Sequence, residues 1–246
     1  MTDQADTLRE WVEERDTLTT LLQRVSRNTR VVQMVSTDVH PDFLNCCLAV
    51  ILGLSKKGLR TAAVVPPGLR TDLTSASGPR FVTFETLRSE SQAGVLMSQF
   101  VDADWVVLCE PAAIVTGYPV TLIATLGSET PAHVAQKIRE WRKSTNQKDF
   151  SLIVTGTDDG ADGIEFYRSV QKQIGHHNGI QLAYLGHWKA NAESADDFLL
   201  HYEEDTRERL DGRLALLVKR LVERESPSVY FDVSSTPFNH GRLSKD

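Results

Sequence analysis

Cysteine is scarce in this chain, and its few cysteines form no pattern. Cys46, Cys47 and Cys109 are odd in number and show no CxxC spacing, which leaves neither a disulfide framework nor a zinc site to read. Core packing as small apolar residues is what they suit. Positive charge is also in deficit. Against 33 aspartates and glutamates stand 27 lysines and arginines, a net charge of -6, whereas non-specific nucleic-acid binding needs a basic surface. No apolar run reaches the roughly 18 residues of a membrane span. The polar, acidic start "MTDQADTLREWVEERD" is not a signal peptide. Repeats and low-complexity segments are absent, and a reducing cytoplasm is the compartment expected. What is present is ordinary for one large α/β domain: 246 residues, 41% of them hydrophobic and 24% charged.

The pattern along the chain alternates. Leu8, Trp11, Val12, Leu18, Leu21, Leu22 and Val25 recur at helical spacing between Asp3 and Val25. "RVVQMVS" predicts a strand, Phe43 to Lys57 a helix capped by Gly58, and "RTAAVV" a second strand. "RFVTFET" predicts a strand and the residues around Ala93 to Phe100 a helix. "DWVVLCEP", "VTLIATL", "FSLIVTG" and "IQLAYLG" predict further strands, and the first of these is apolar almost throughout, as a sheet buried on both faces requires. Helices are predicted over Pro131 to Arg142, Gly163 to Ile174 and Asp196 to Glu223. The fold class expected is α/β, a mostly parallel sheet with helices on both faces. Ligands of such sheets sit beyond the carboxyl ends of the strands.

The first unit, "VVQMVSTDVHPDFLNCCLAVILGLSKKGLRTAAVVPP", has the frame of a phosphate-binding βαβ element. Its turn "STDVHPDF" holds no glycine and no lysine. A phosphate cradle needs glycines so that backbone N–H groups converge, and a cation to neutralise the charge. The frame is present without the groups that bind.

The order of pieces resembles the MinD/ParA class of P-loop ATPases, and within it the FlhG family, regulators of flagellar number and placement. "LAVILGLSKKGLRTAAVV" resembles that class's helix and second strand, and "DWVVLCEP" its switch strand. The most specific piece is "DQADTLR", Asp3 to Arg9, which resembles the family's N-terminal DQAxxLR motif at Asp3, Gln4, Ala5, Leu8 and Arg9. The resemblance implies a segment that binds the SRP-type GTPase FlhF and stimulates GTP hydrolysis. Gln4 would orient the attacking water, Arg9 would anchor on acidic partner groups, and Leu8, Trp11 and Val12 would supply the apolar hold.

The same resemblance exposes departures. Counting back from Gly58, the class's signature lysine falls at Asp38, its glycines at Val39 and His40, its P-loop lysine at Phe43 and its magnesium-ligating threonine at Leu44. Pro41 removes a donor N–H. The second strand ends in Val65, Pro66 and Pro67 instead of an aspartate, Cys109 stands where a switch aspartate belongs, and Thr155 replaces the base-reading asparagine. Loss of ATP and magnesium binding, hence a pseudo-ATPase with no cofactor, is the expectation.

Other signals are weaker. His40 between Asp38 and Asp42 is one histidine with two carboxylates on a loop, "GHHNG" is a polar turn, and "TDDG" lacks the further ligands of a calcium loop. Leu210, Leu214, Leu217, Val218 and Leu221 form one stripe of the C-terminal helix, with basic residues beside it and Glu203, Glu204, Asp205, Glu208, Asp211 and Glu223 diluting the positive field. Such a helix either docks on its own domain or makes peripheral contact with the inner membrane or cell pole. The division expected is an activator region at 1–27, an α/β domain at 28–195 and a C-terminal helix and tail at 196–246. The leading expectation is an FlhG-like, nucleotide-independent activator of an FlhF-type GTPase. Flagellar C-ring parts are further candidate partners, and the assembly would be a monomer or an ATP-independent dimer. The alternatives are a scaffold for another polar or secretion machine and, behind it, an active ParA-type ATPase. The last is disfavoured because no lysine or arginine lies between Arg30 and Lys56.

Overall fold

A computed structural model describes residues 16, 18–23, 25, 28–37, 40–66, 78–83, 86, 100, 102–109, 114–175, 179–189 and 212–225. The strands are β1 (Arg30–Ser36), β2 (Thr61–Val65), β3 (Arg80–Thr83), β4 (Trp105–Cys109), β5 (Val120–Thr125), β6 (Asp149–Thr155) and β7 (Gln181–Trp188). The helices are α1 (Pro41–Lys56), α2 (Pro131–Thr145), α3 (Gly160–Ile174) and α4 (Gly212–Glu225). All seven strands pair in parallel, in the order β3-β2-β4-β1-β5-β6-β7. The order turns back at β1, which lies between β4 and β5, so the carboxyl ends of these three strands frame the crevice where such sheets take ligands.

Side-chain alternation divides the core by face. Val32 and Met34 of β1, Trp105, Val107 and Cys109 of β4, Ile123 of β5 and Ile153 of β6 face a layer made of α1 and α4. The opposite face has two clusters. Leu18, Leu21 and Leu22 of the N-terminal helical residues cover Val31, Ala62, Val64, Val106 and Leu108. Val134 and Ile138 of α2 and Phe166 and Val170 of α3 cover Leu122, Phe150, Leu152 and Val154. The N-terminal helical residues and α4 each pack on the sheet, on opposite faces.

Local chemistry explains the element bounds and moves several of them. α1 starts at Pro41, two residues before the expected Phe43, because His40 adopts extended backbone and caps the helix with Pro41 in its first turn. α2 runs on to Thr145, where Asn146 in the left-handed region ends it. α3 starts at Gly160, not Gly163: Asp159 of "TDDG" accepts from Ala161 N at 2.7 Å. Gly163 is required inside α3, since a Cβ there would lie 2.5 Å from the Tyr184 hydroxyl. β3 closes at Thr83, and the expected continuation at 84–85 lies outside the described residues, as do the helix around 93–99 and the 196–211 part of the C-terminal helix.

Candidate functional site

Among the described residues, the carboxyl edge of the sheet carries the β1–α1, β5–α2 and β6–α3 turns and the end of β4. In the first, between β1 and α1, Asp38 and Val39 lie outside the described residues. His40 and Asp42 do not form a solvated loop; they are the cap and first turn of α1. The Asp42 N–H donates to His40 Nδ1 at 3.2 Å. The Asp42 carboxylate is 3.8 Å from the same nitrogen. The Phe43 N–H donates to the His40 carbonyl at 3.0 Å. A helix N-terminus binds anions through its unspent N–H groups. Here Pro41 has none, and those of Asp42 and Phe43 are taken.

The side chains at the positions that follow are packed inward. Phe43, at the P-loop lysine position, is 3% exposed and packs in the α1 cluster, with Leu44 half-buried against it. Cys109 ends β4 fully buried in the same cluster, beside Cys46 and Cys47. The Cys46 thiol is held far above its ordinary pKa by burial first and then by the neighbouring Asp42 and Cys109 charges. All three cysteines are free and buried.

At the β5–α2 turn, Glu129 is only 7% exposed, and its Oε2 accepts from the Thr125 N–H at 2.8 Å. The Thr125 hydroxyl meets the Thr155 hydroxyl at 3.0 Å. Thr155, at the base-reading position, thus spends its hydroxyl inside the sheet. Thr130 caps α2 through the His133 N–H at 3.3 Å. At the β6–α3 turn, Asp158 pairs with Arg213 of α4 at 2.8 Å. Among the described residues no group of three or more His, Cys, Asp or Glu could hold a metal ion.

Reading the sequence missed Gln33, the one polar residue in the middle of β1. It is wholly buried. Its Oε1 accepts from the Val115 N–H at 2.6 Å, and its Nε2 donates to the Val115 carbonyl at 2.9 Å and the Tyr118 carbonyl at 3.3 Å. The β4–β5 connection, which follows the switch position Cys109, is thereby clamped to β1. A single glutamine inside an apolar strand was the available signal.

Trp11, Val12, Asp3, Gln4, Ala5, Leu8 and Arg9 lie outside the described residues. The stripe on α4 is docked: Leu214, Leu217, Val218 and Leu221 are at most 5% exposed and sit in the α1 cluster. No helix among the described residues is long and apolar enough to cross a membrane.

No protein-family model matches the chain, and no curated protein matches it. Solved structures do. The MinC:MinD cell division protein complex of Aquifex aeolicus aligns with a TM-score of 0.51 at 11% identity, over 79% of this chain and 96% of that one. The MinD cell division protein of the same organism aligns at 0.50 and 10%, over 79% and 98%. The hydrogenase maturation factor HypB of Archaeoglobus fulgidus aligns at 0.43 and 10%, over 84% and 100%. At such identities the likeness to MinD concerns the fold alone: the chain has a MinD-like α/β fold.

Proposed function

We propose that this protein is an FlhG-type regulator of flagellar number and placement, which binds the GTPase FlhF and raises its GTP hydrolysis without hydrolysing ATP itself. The observation that carries the nucleotide-independent half is the filled opening of α1. Phe43 is buried where a phosphate-binding lysine would reach out, Pro41 lacks an N–H, and the next two amides are satisfied by His40. The MinD-like fold supports the lineage. The activator half rests on "DQADTLR". Gln4 positions the attacking water in the partner's site, while Arg9 and the stripe of Leu8, Trp11 and Val12 hold the segment there.

Two measurements on the full chain test this. Titration calorimetry with ATP and magnesium is expected to give no saturable heat in the micromolar range; a micromolar dissociation constant would overturn the pseudo-ATPase reading. In a GTPase assay with FlhF, the parent protein stimulates turnover. Gln4→Ala loses stimulation but keeps affinity, since water orientation acts on the transition state. Trp11→Ala weakens affinity by about 1–3 kcal/mol. A parent protein that neither binds nor stimulates FlhF hands the assignment to the scaffold alternative.

A further inference from the structure

The ends of α2 and α3 and the turn into β6 meet at one corner of the amino edge of the sheet. Arg139 of α2 donates from Nη1 to the Gln173 carbonyl of α3 at 2.9 Å, which sets the two helix ends side by side. The Gln181 N–H donates to the Lys148 carbonyl at 2.8 Å, which fixes the turn beside the start of β7. Arg139, Arg142, Lys143, Lys148 and Lys172 gather at this corner, and the three lysines are exposed. Several other cations of the described surface are matched: Arg60 pairs with Asp104, Lys137 with Glu140, Arg213 with Asp158 and Lys219 with Glu223. Among the described residues no carboxylate pairs with Lys143, Lys148 or Lys172.

Basic residues in the last turn of a helix complement its dipole. That accounts for Arg142, Lys143 and Lys172, but not for Lys148, which lies between α2 and β6, nor for Arg139, a turn before the end of α2. An anionic partner accounts for all five, and three observations select its class. The chain carries a net charge of -6, so the field of the whole molecule disfavours a long polyanion. Asp149, exposed at the start of β6, interrupts the cations; evenly spaced phosphates would meet it, whereas the carboxylates of a peptide can be spaced to pass it. The exposed large apolar residues described are Ile164 and Leu216. Neither lies at the corner, which leaves nothing there to sink into a bilayer. Arg139 is tethered to the Gln173 carbonyl, and a guanidinium already held by one N–H loses less freedom on pairing with a carboxylate. We propose that this corner docks an acidic segment of a partner protein, whose carboxylates pair with Lys143, Lys148 and Lys172 and with the tethered guanidinium of Arg139.

The test uses the full chain and fluorescein-labelled hexaglutamate, with binding read by anisotropy at low salt and located by backbone NMR. The parent is expected to bind saturably, to weaken as salt rises, and to shift the amides of 139–149 and 171–175. Lys143→Glu, Lys148→Glu and Lys172→Glu combined are expected to weaken binding about ten-fold or more. Lys57→Glu, Lys189→Glu and Lys219→Glu combined give the same net charge from exposed positions elsewhere and are expected to bind like the parent. A parent that shows no saturable binding overturns the proposal, as does an equal loss in the second triple variant, or amide shifts confined to other parts of the chain. Tighter binding of a short DNA duplex, or of vesicles containing phosphatidylserine, also overturns it by giving the corner to another class of anion. Should the first triple variant not fold, Lys143→Gln, Lys148→Gln and Lys172→Gln made singly carry the same test. Each is expected to weaken binding, and unchanged binding in all three overturns the proposal.

Discussion

Gln33 shows how much one buried polar side chain can hold. It satisfies the Val115 amide and two carbonyls of the β4–β5 connection from a fully buried position. Gln33→Leu keeps approximate size but strands the Val115 N–H. The expected loss is about 1–3 kcal/mol, the cost of an unsatisfied buried donor, read from urea unfolding, with faster amide exchange over 114–119. Asp104 makes a second prediction, at the opposite end of the sheet. Its carboxylate accepts from Arg60 Nη2 at 2.9 Å and from the Arg60 N–H at 2.9 Å. The hydrogen bond from the Arg60 side chain is the main reason its pKa lies below the ordinary carboxylate value. A depressed folded-state pKa means that the unfolded chain binds the proton more tightly. The stabilisation is therefore fully present above the unfolded value of about 3.9 and is lost as pH falls through the lower folded value. Both side chains are solvent-exposed, so the effect is small and screened by salt. The denaturation midpoint of Asp104→Asn is expected to lie below the parent's at pH 7 and to converge on it in acid.

At the scale of elements, α4 is the segment whose role its own sequence left open. A stripe of leucines with basic flanks suits a membrane surface as well as a protein core, because both offer an apolar boundary. In the fold the stripe covers α1 and β7, Arg213 reaches Asp158 at 2.8 Å, and Arg220 reaches the Leu185 carbonyl. Leu217, 1% exposed, lies against Gly186. Leu217→Ala is expected to cost about 2–5 kcal/mol, the range for buried leucine truncations. A loss below about 0.5 kcal/mol in chemical denaturation would show that α4 is not part of the cooperative core. Leu216, 46% exposed on the same helix, is the internal control, and Leu216→Ala is expected to stay near the parent.

For the whole molecule, the expectation concerns assembly. In the class the sequence resembles, ATP bridges two protomers and a signature lysine reaches across; Asp38 stands at that place here. The oligomeric state is accordingly expected to be indifferent to ATP and magnesium. Sedimentation with and without nucleotide measures it, and an ATP-induced dimer is the contrary result. The closed opening of α1 argues the same way from other groups. An anion arriving there would find the amides of Asp42 and Phe43 engaged and the Asp42 carboxylate beside them.

Local pattern alone determined the α/β class and most of the run of strands and helices. Near-continuous apolar runs such as "DWVVLCEP" and "FSLIVTG" suit strands buried on both faces. Only tertiary structure decided the rest. His40 and Asp42 read as a weak ligand cluster until the helix start placed them as cap and first turn. Thr155 read as a lost base reader, yet its hydroxyl meets Thr125 on the neighbouring strand, thirty residues away in sequence. Gln33 read as an interruption of β1, and its partners lie more than eighty residues further on. Periodicity reports what a residue's neighbours in sequence require. A polar group buried in a parallel sheet is satisfied by strands and loops that only the strand order brings beside it.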